Sequence, residues 1–304
     1  MNRKQHGIML AVVGASLWGT SGTAAEMLYQ HANINTLWLV GVRAWLAGAI
    51  FLLFSYLREG RKIFAIFHDK HDLLYGALYG LFGLVGSQLT YFYCVQLSNA
   101  PTATVLVFLA PVLIIAFMAV KTRQKPRRVD LLSIAVALVG TVILVTNGNL
   151  GHLAVTPATL VWGFLSALTQ AADIVMPAKL FKKYGTIDIL SWGMLFGGIV
   201  LTPVLLAVPA KHVTLPEWGL VLYIVVAGTL LAYALYLSSV LYISAALAGI
   251  LEAFEPLVAT ILSVSLLGSD FGIMKMVGGA LIVLATGMQL LPSPRGAKLR
   301  RKQA

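Results

Sequence analysis

Negative charge is scarcest in this chain: 11 acidic residues in 304, against 22 lysines and arginines. Charged residues total 11%, whereas a soluble domain carries about a quarter. With 59% hydrophobic residues and a mean hydropathy of +0.87, too few polar groups remain to coat a globule in water. Most side chains must therefore meet lipid. A net charge of +11 would suggest nucleic acid in a soluble protein. Here the basic residues sit between apolar runs, where they set membrane topology and imply no nucleic-acid partner.

Cysteine is almost missing. The single Cys94 excludes an intramolecular disulfide, and in its apolar run a thiol acts as a small hydrophobe. No CxxC or Cys/His cluster is present, so no metal site is expected. All six histidines fall in loops or at the N-terminus. There is no HExxH, no GxSxG and no paired membrane aspartate motif, which argues against an intramembrane enzyme. No GxxxxGK[ST] loop is present for a nucleotide, and no ring of charge or filter loop marks a channel. No cofactor is implied. An intramembrane enzyme and a structural or channel protein remain the alternatives to a carrier.

Ten runs are long enough to cross a hydrocarbon core of about 30 Å as helices of roughly 20 residues. They cover 7–28, 34–57, 72–95, 100–120, 129–147, 156–178, 186–208, 215–240, 244–267 and 272–291. The runs are too long for strands and do not alternate, and only helices or closed barrels satisfy backbone groups in lipid. The fold class is all-α. The start of the chain, with Arg3, Lys4 and then Thr23-Ala24-Ala25, resembles a signal peptide. The internal repeat described next requires that first helix, so it is counted as a span.

With the N-terminus in the cytoplasm, 19 lysines and arginines fall in inner segments. Only Lys211 and Lys275 fall outside, and Arg43 lies within a span. That asymmetry places both termini in the cytoplasm, for a multi-pass protein of the cytoplasmic (inner) membrane.

The two halves align with each other. Ser98-Asn99-Ala100-Pro101, leading to Ala110-Pro111, matches Ile243-Ser244-Ala245-Ala246, leading to Glu255-Pro256, at an offset of 145. Gly83 matches Gly228 and Tyr91 matches Tyr236 at that same offset. Gly140 matches Gly287, Gly14 matches Gly163 and Gly48 matches Gly198 at offsets of 147, 149 and 150. The expected units are residues 1–148 and 149–292, each a five-helix repeat, with 293–304 as a basic cytoplasmic tail. Five is odd, so the second copy enters the membrane from the opposite side. Inverted repeats of this kind enclose a substrate site near mid-membrane in secondary carriers.

In Leu17-Trp18-Gly19-Thr20, Arg43, Asn99-Ala100 with Ala110-Pro111, Glu255-Pro256, Leu138-Val139-Gly140 and Ala285-Thr286-Gly287, the whole chain resembles the drug/metabolite transporter superfamily, in its EamA-like branch of ten-helix carriers. The resemblance implies a central cavity lined by helices 1, 3, 4, 6, 8 and 9. It also implies alternating-access export of amino acids or related small metabolites, with proton coupling left open.

An ionisable group in a span costs about 2.5–3.5 kcal/mol on insertion scales, so Glu26, Arg43, Asp173, Glu252 and Glu255 are functional candidates. Glu252 and Glu255 are three apart and share a helix face. Their counterparts in helix 4, Val107 and Ala110, are apolar. The pair could take a proton or a substrate amine, or form an ion pair with Arg43 at similar depth. Glu26 is expected at the outer mouth of helix 1, snorkelling to water. Asp173, Gln170 and Ser166 follow helical spacing, with Trp162 one turn earlier. Asp173 either faces a cavity or pairs with Lys179 and Lys182.

Helix 1 carries Ser16, Thr20 and Thr23 on one face, near Trp18 of the family motif. Helix 3 carries Tyr79, Gly83, Gly86, Thr90 and Tyr93 on one face, with Gln88 and Tyr91 turned away. Helix 8 carries Thr229, Tyr233 and Tyr236. Aromatic rings with hydroxyls suit a small solute with one polar and one apolar end. The substrate-contact candidates are Ser16, Trp18, Thr20, Tyr79, Gln88, Tyr91, Trp162, Gln170, Asp173, Tyr233 and Tyr236. Coupling or intramembrane pairing falls to Arg43, Glu252 and Glu255. Pro111 and Pro256 interrupt helices 4 and 9 as hinges or static kinks. The expected partners are a small molecule, the bilayer and, where coupling operates, protons. Gly193-Met194-Leu195-Phe196-Gly197 is a GxxxG, a spacing that more often packs helices within one chain, and monomer and homodimer both remain open.

Overall fold

The computed structural model describes residues 2–123, 128–149, 154–208 and 213–289. Lys125, Arg127, Lys211 and the tail 293–304 lie outside them. Among the described residues there is no strand, and the fold is that of an all-α membrane protein. Its spans are α1 (Arg3–Ala32), α2 (Thr36–Glu59), α3 (Lys70–Leu97), α4 (Ala100–Thr122) and α5 (Arg128–Thr146). They continue as α6 (Pro157–Tyr184), α7 (Thr186–Ala207), α8 (Leu215–Ser239), α9 (Ala245–Leu251 with Phe254–Leu267) and α10 (Ile273–Gln289). Nine of these are long and apolar enough to cross a membrane, while α10 is apolar but only 17 residues long. The ranges fall within a few residues of those expected from hydropathy, apart from α6, which runs on to Tyr184.

Local chemistry sets the ends. Asn35 accepts from the amides of Leu37 and Trp38 at 2.8 and 3.2 Å and so caps α2. Asn99 accepts from Thr102 N at 2.9 Å at the start of α4. Its repeat partner Ser244 accepts from Leu247 N at 3.2 Å at the start of α9. Side-chain oxygens at these positions satisfy amides that have no partner within the helix. Thr214 and Glu217 form a capping box at α8.

The halves also share their irregularities. α3 contains a π turn at Tyr79–Leu84 and α8 one at Val226–Leu231, each including one glycine of the matched pair Gly83 and Gly228. α4 breaks at residues 108–109 and α9 at 252–253. Pro111 and Pro256 follow those breaks by a few residues and lack the N–H that would bond back to Val107 and Glu252.

Packing is paired in the same way. α2 lies against α7, and α5 against α10, so each pairs with its own counterpart. α1 packs on α8 and α9, while α6 packs on α3 and α4. Each of these contacts runs between the halves, and exchanging the two halves maps the set onto itself. The α5–α10 pair is backbone against backbone: a Cβ added to Gly278 would lie 2.6 Å from the Gly140 carbonyl oxygen. Large aliphatic side chains such as Leu57, Val120, Leu206 and Leu215 point outward, and much of the interior is alanine, glycine and hydroxyl residues. Small residues let membrane helices approach where no water drives them together.

Hydrogen bonds define two ends of the bundle. At the N-terminal end, Trp192 Nε1 donates to Ile63 O at 2.8 Å, and Lys183 binds both Asp69 and Asp72. Tyr184 OH donates to Asp72 Oδ2 at 2.8 Å there. Ser55 also bonds to Asp188 at this end. At the opposite end, Thr36 Oγ1 donates to Gln96 Oε1 at 2.7 Å and Thr159 Oγ1 to Leu97 O at 3.2 Å.

Candidate functional site

A cavity of ≈ 360 Å³ lies inside the bundle, at the low end of the size range for small-molecule sites. Among the candidates, Trp18, Arg43, Tyr79, Gln88, Tyr91, Pro111, Gln170, Asp173, Tyr233, Tyr236, Glu252 and Glu255 line it. Ser16, Thr20, Trp162 and Pro256 do not. The lining runs from mid-depth to the N-terminal end, where Phe181, Thr186 and Leu190 complete it. Arg43, Thr186 and Thr286 bring α2, α7 and α10 into a wall for which the family resemblance implied α1, α3, α4, α6, α8 and α9.

The π turn in α3 explains which of its residues reach the cavity. On a regular helix, at about 100° per residue, Tyr91 would stand about 120° from Tyr79, and Gln88 about 180°. A π turn absorbs about one residue, which brings Tyr91 to about 20° from Tyr79 and Gln88 to about 80°. Tyr79, Gln88 and Tyr91 thus share the cavity side. The expected grouping of Tyr79 with Thr90 and Tyr93 is corrected. Thr90 bonds Thr169 of α6 at 2.9 Å, and Tyr93 stacks on Trp162 with ring centroids 4.5 Å apart.

On α1 the hydroxyl stripe also faces elsewhere. Thr20 Oγ1 donates to Leu17 O at 2.9 Å and lies 2.7 Å from Tyr223 OH, and Thr23 Oγ1 donates to Gly19 O at 3.2 Å. Hydroxyls that bond their own helix need no cavity. Trp18 and Ser21, three apart, face inward instead, and Trp18 meets Tyr233 and Tyr236 with ring centroids 5.3 and 5.0 Å away. Ser21, Ser87, Phe92, Phe108, Phe181 and Thr286 are lining residues that sequence reasoning passed over. The i, i+3 spacing of Ser21 from Trp18 was the available signal. Thr286 had none, because its place depends on the break that leaves Phe108 O to accept its hydroxyl at 3.3 Å.

Arg43 is 5% exposed. Its Nε donates to Thr229 Oγ1 at 2.7 Å and its Nη2 to Gly228 O at 3.3 Å. The guanidinium carbon stands 5.2 Å from the centre of the Phe92 ring. Thr229 in turn donates to Ile224 O at 2.9 Å, so the π turn of α8 is where Arg43 is held. The expected ion pair with Glu252 or Glu255 is absent: among the described residues no base lies within 4.0 Å of either carboxylate. Gln88 is 7% exposed, and neither of its amide atoms has a hydrogen-bond partner. Asp173 Oδ1 is also buried without a partner, and the expected pairing of Asp173 with Lys179 or Lys182 is not formed.

Glu26 does not snorkel; it is 1% exposed. Its carboxylate accepts from Ala100 N at 2.9 Å, Ser263 Oγ at 2.6 Å, Gln30 Nε2 at 3.2 Å and Ser269 Oγ. These donors come from α4, α9, α1 and the α9–α10 connection. Charged acceptors make the stronger hydrogen bonds, and here one carboxylate ties the two halves together beyond the mid-depth limit of the cavity lining. The cue that misled was position alone. Glu26 sits near the end of a run, but the Asn99-Ala100 turn brings a free helix-start amide onto it.

The EamA-like transporter family matches residues 5–146 and again residues 157–290, once for each half. The uncharacterized inner membrane transporter YicL of Salmonella typhimurium is 35% identical over 301 residues, 98% of this chain and 99% of that one. The uncharacterized inner membrane transporter YedA of Escherichia coli K12 is 28% identical over 260 residues, 82% of this chain and 79% of its own. A solved crystal structure of a protein aligns over 99% of both chains with a TM-score of 0.62 at 16% identity, which speaks to the fold alone. With both halves matched, the chain belongs to the EamA-like transporter family.

Proposed function

We propose that this protein is a secondary carrier that exports amino acids or related small metabolites across the cytoplasmic membrane by alternating access. One observation carries the reading. An aromatic-lined cavity carrying a few ionisable and amide groups begins at mid-depth and continues toward one end of the bundle, while a buried carboxylate clamp ties the helices beyond its other end.

The end with the cavity also holds Arg3, Lys4, Arg58, Arg61, Lys62, Lys179, Lys182 and Lys183, and this excess of basic residues supports a cytoplasmic placement for it. On this reading the two five-helix halves are inverted copies, and the self-pairing of α2 with α7 and of α5 with α10 is what a pseudo-twofold axis between them would produce. Rocking about those pairs would open the outer side. Glu26 would release Ala100, Ser263 and Ser269 as it does so. Glu252 and Glu255 sit at the α9 break, where a hinge and a proton or substrate site coincide. Energy comes from the solute gradient or from proton exchange at these acids.

The experiment compares intracellular and extracellular metabolite pools with and without expression. Counterflow of each accumulated solute is then measured in proteoliposomes. External enrichment of a solute that the purified protein also exchanges is the expected result. Unchanged pools together with no counterflow for any amino acid or related metabolite would reject the carrier reading.

A further inference from the structure

The charges around the cavity do not balance. Three carboxylates, on Asp173, Glu252 and Glu255, face one cation, Arg43. Arg43 is already engaged by Thr229, Gly228 and the Phe92 ring. No lysine or arginine lies within 4.0 Å of the three acids among the described residues. Half-buried carboxylates inside a membrane bundle without a counter-ion are costly, and a cation arriving with the substrate would relieve that cost.

A second, independent observation points to a ligand. The amide of Gln88 is more than nine-tenths buried, lines the same cavity and has both polar atoms unpartnered. Its oxygen can accept from an ammonium. Beside the acids the wall is aromatic, with Trp18 packed on Tyr233 and Tyr236. Ring faces attract organic cations and also accept an apolar body.

A zwitterion fits less well. Its carboxylate would enter a chamber with an excess of acids, and its one candidate partner, Arg43, has two groups committed to the π turn of α8. Like charges brought together in a low-dielectric site repel strongly.

We propose that the cavity selects organic cations, namely small amines with an apolar or aromatic body and no free carboxylate, with the ammonium held by Glu252, Glu255 or Asp173 and the amide of Gln88. This rests on the carrier reading of the same cavity and narrows its substrate class.

The test uses the full chain, purified and reconstituted, with amine and amino-acid pairs built on one side chain: phenylethylamine with phenylalanine, tryptamine with tryptophan, and isoamylamine with leucine. Binding is read by thermal shift and flux by counterflow. The amine is expected to bind at least ten-fold more tightly in every pair. Glu255→Gln and Asp173→Asn, which keep side-chain shape, are expected to reduce that preference at least three-fold. If either variant fails to fold, the wild-type ranking decides by itself. Equal or better binding of the amino acids, or no binding of any of the three amines, overturns the inference. Counterflow of phenylalanine, tryptophan or leucine in that case leaves the carrier reading intact, so the two failures are distinguishable.

Discussion

Around the break in α4 stand Val107, Phe108 and Ala110, whereas the matching turn of α9 presents Glu252 and Glu255 to the same cavity. Both breaks are followed by a proline, both helices begin with a side-chain cap, and both packing partners correspond. The backbone therefore needs no acid to bend here. The acids of α9 are an addition to a shape that α4 achieves with apolar residues, and chemistry is where an explanation for them lies. A second contrast runs along the membrane normal. Glu26 locks the far end of α1, while the same stretch of α6, aligned through Gly14 and Gly163, carries Val175 and Met176 and has no such clamp.

Copying α4 onto α9 should have the largest effect. The double variant Glu252→Val with Glu255→Ala gives α9 the residues of its counterpart. Flux in counterflow should fall to background. Melting temperature in detergent should stay level or rise, because apolar replacement of buried ionisable groups is often neutral or stabilising. Retained flux would mean that the two halves are chemically equivalent after all.

Next in size is removal of the clamp. Glu26→Ala leaves the buried amide of Ala100 and hydroxyl of Ser263, and the half-buried hydroxyl of Ser269, without their acceptor. An orphaned buried group costs about 1–3 kcal/mol, so a loss of about 3–5 kcal/mol is expected, read as a lower melting temperature. Glu26→Gln, which keeps one acceptor oxygen, should lose less. Equal melting of wild type and Glu26→Ala would remove the contrast between the two ends.

Arg43→Lys is a smaller perturbation. A point ammonium cannot reproduce the bonds to Thr229 and Gly228 together. A loss of about 1–2 kcal/mol in stability is expected, with Arg43→Gln losing as much or more.

The smallest effect belongs to the exposed clasp at the N-terminal end of the bundle. Lys183, bonded to Asp69, holds that carboxyl below its ordinary range. A folded-state value lowered in this way stabilises the protein at neutral pH, and the gain is lost as pH falls through the lowered value. Melting curves of wild type and Asp69→Asn should differ slightly at neutral pH and low salt. They should merge in acid and in high salt, since exposed pairs are screened.

How much was legible follows from the same contrasts. Span positions were readable, because hydropathy depends on local sequence. Arg43, Asp173, Glu252 and Glu255 stood out because ionisable groups are rare in spans. The faces of α1 and α3 were not readable. A π turn at Tyr79–Leu84 shifts everything beyond it by one residue, and no composition rule announces it. The burial of Glu26 depends on Ser263 and Ser269, which lie more than two hundred residues away in sequence, so no local window contains its partners.

The most direct test of a chamber that runs to one end of the bundle and is clamped beyond the other is side-specific labelling. Ser87→Cys, deep in the cavity wall, is placed in a Cys94→Ala background and exposed to a membrane-impermeant cationic thiosulfonate from each face. The account predicts rapid modification from the cytoplasmic face and little from the outer face. Adding Glu26→Ala should raise the outer rate. Equal modification from both faces of the otherwise unaltered protein, or none from either, would contradict it.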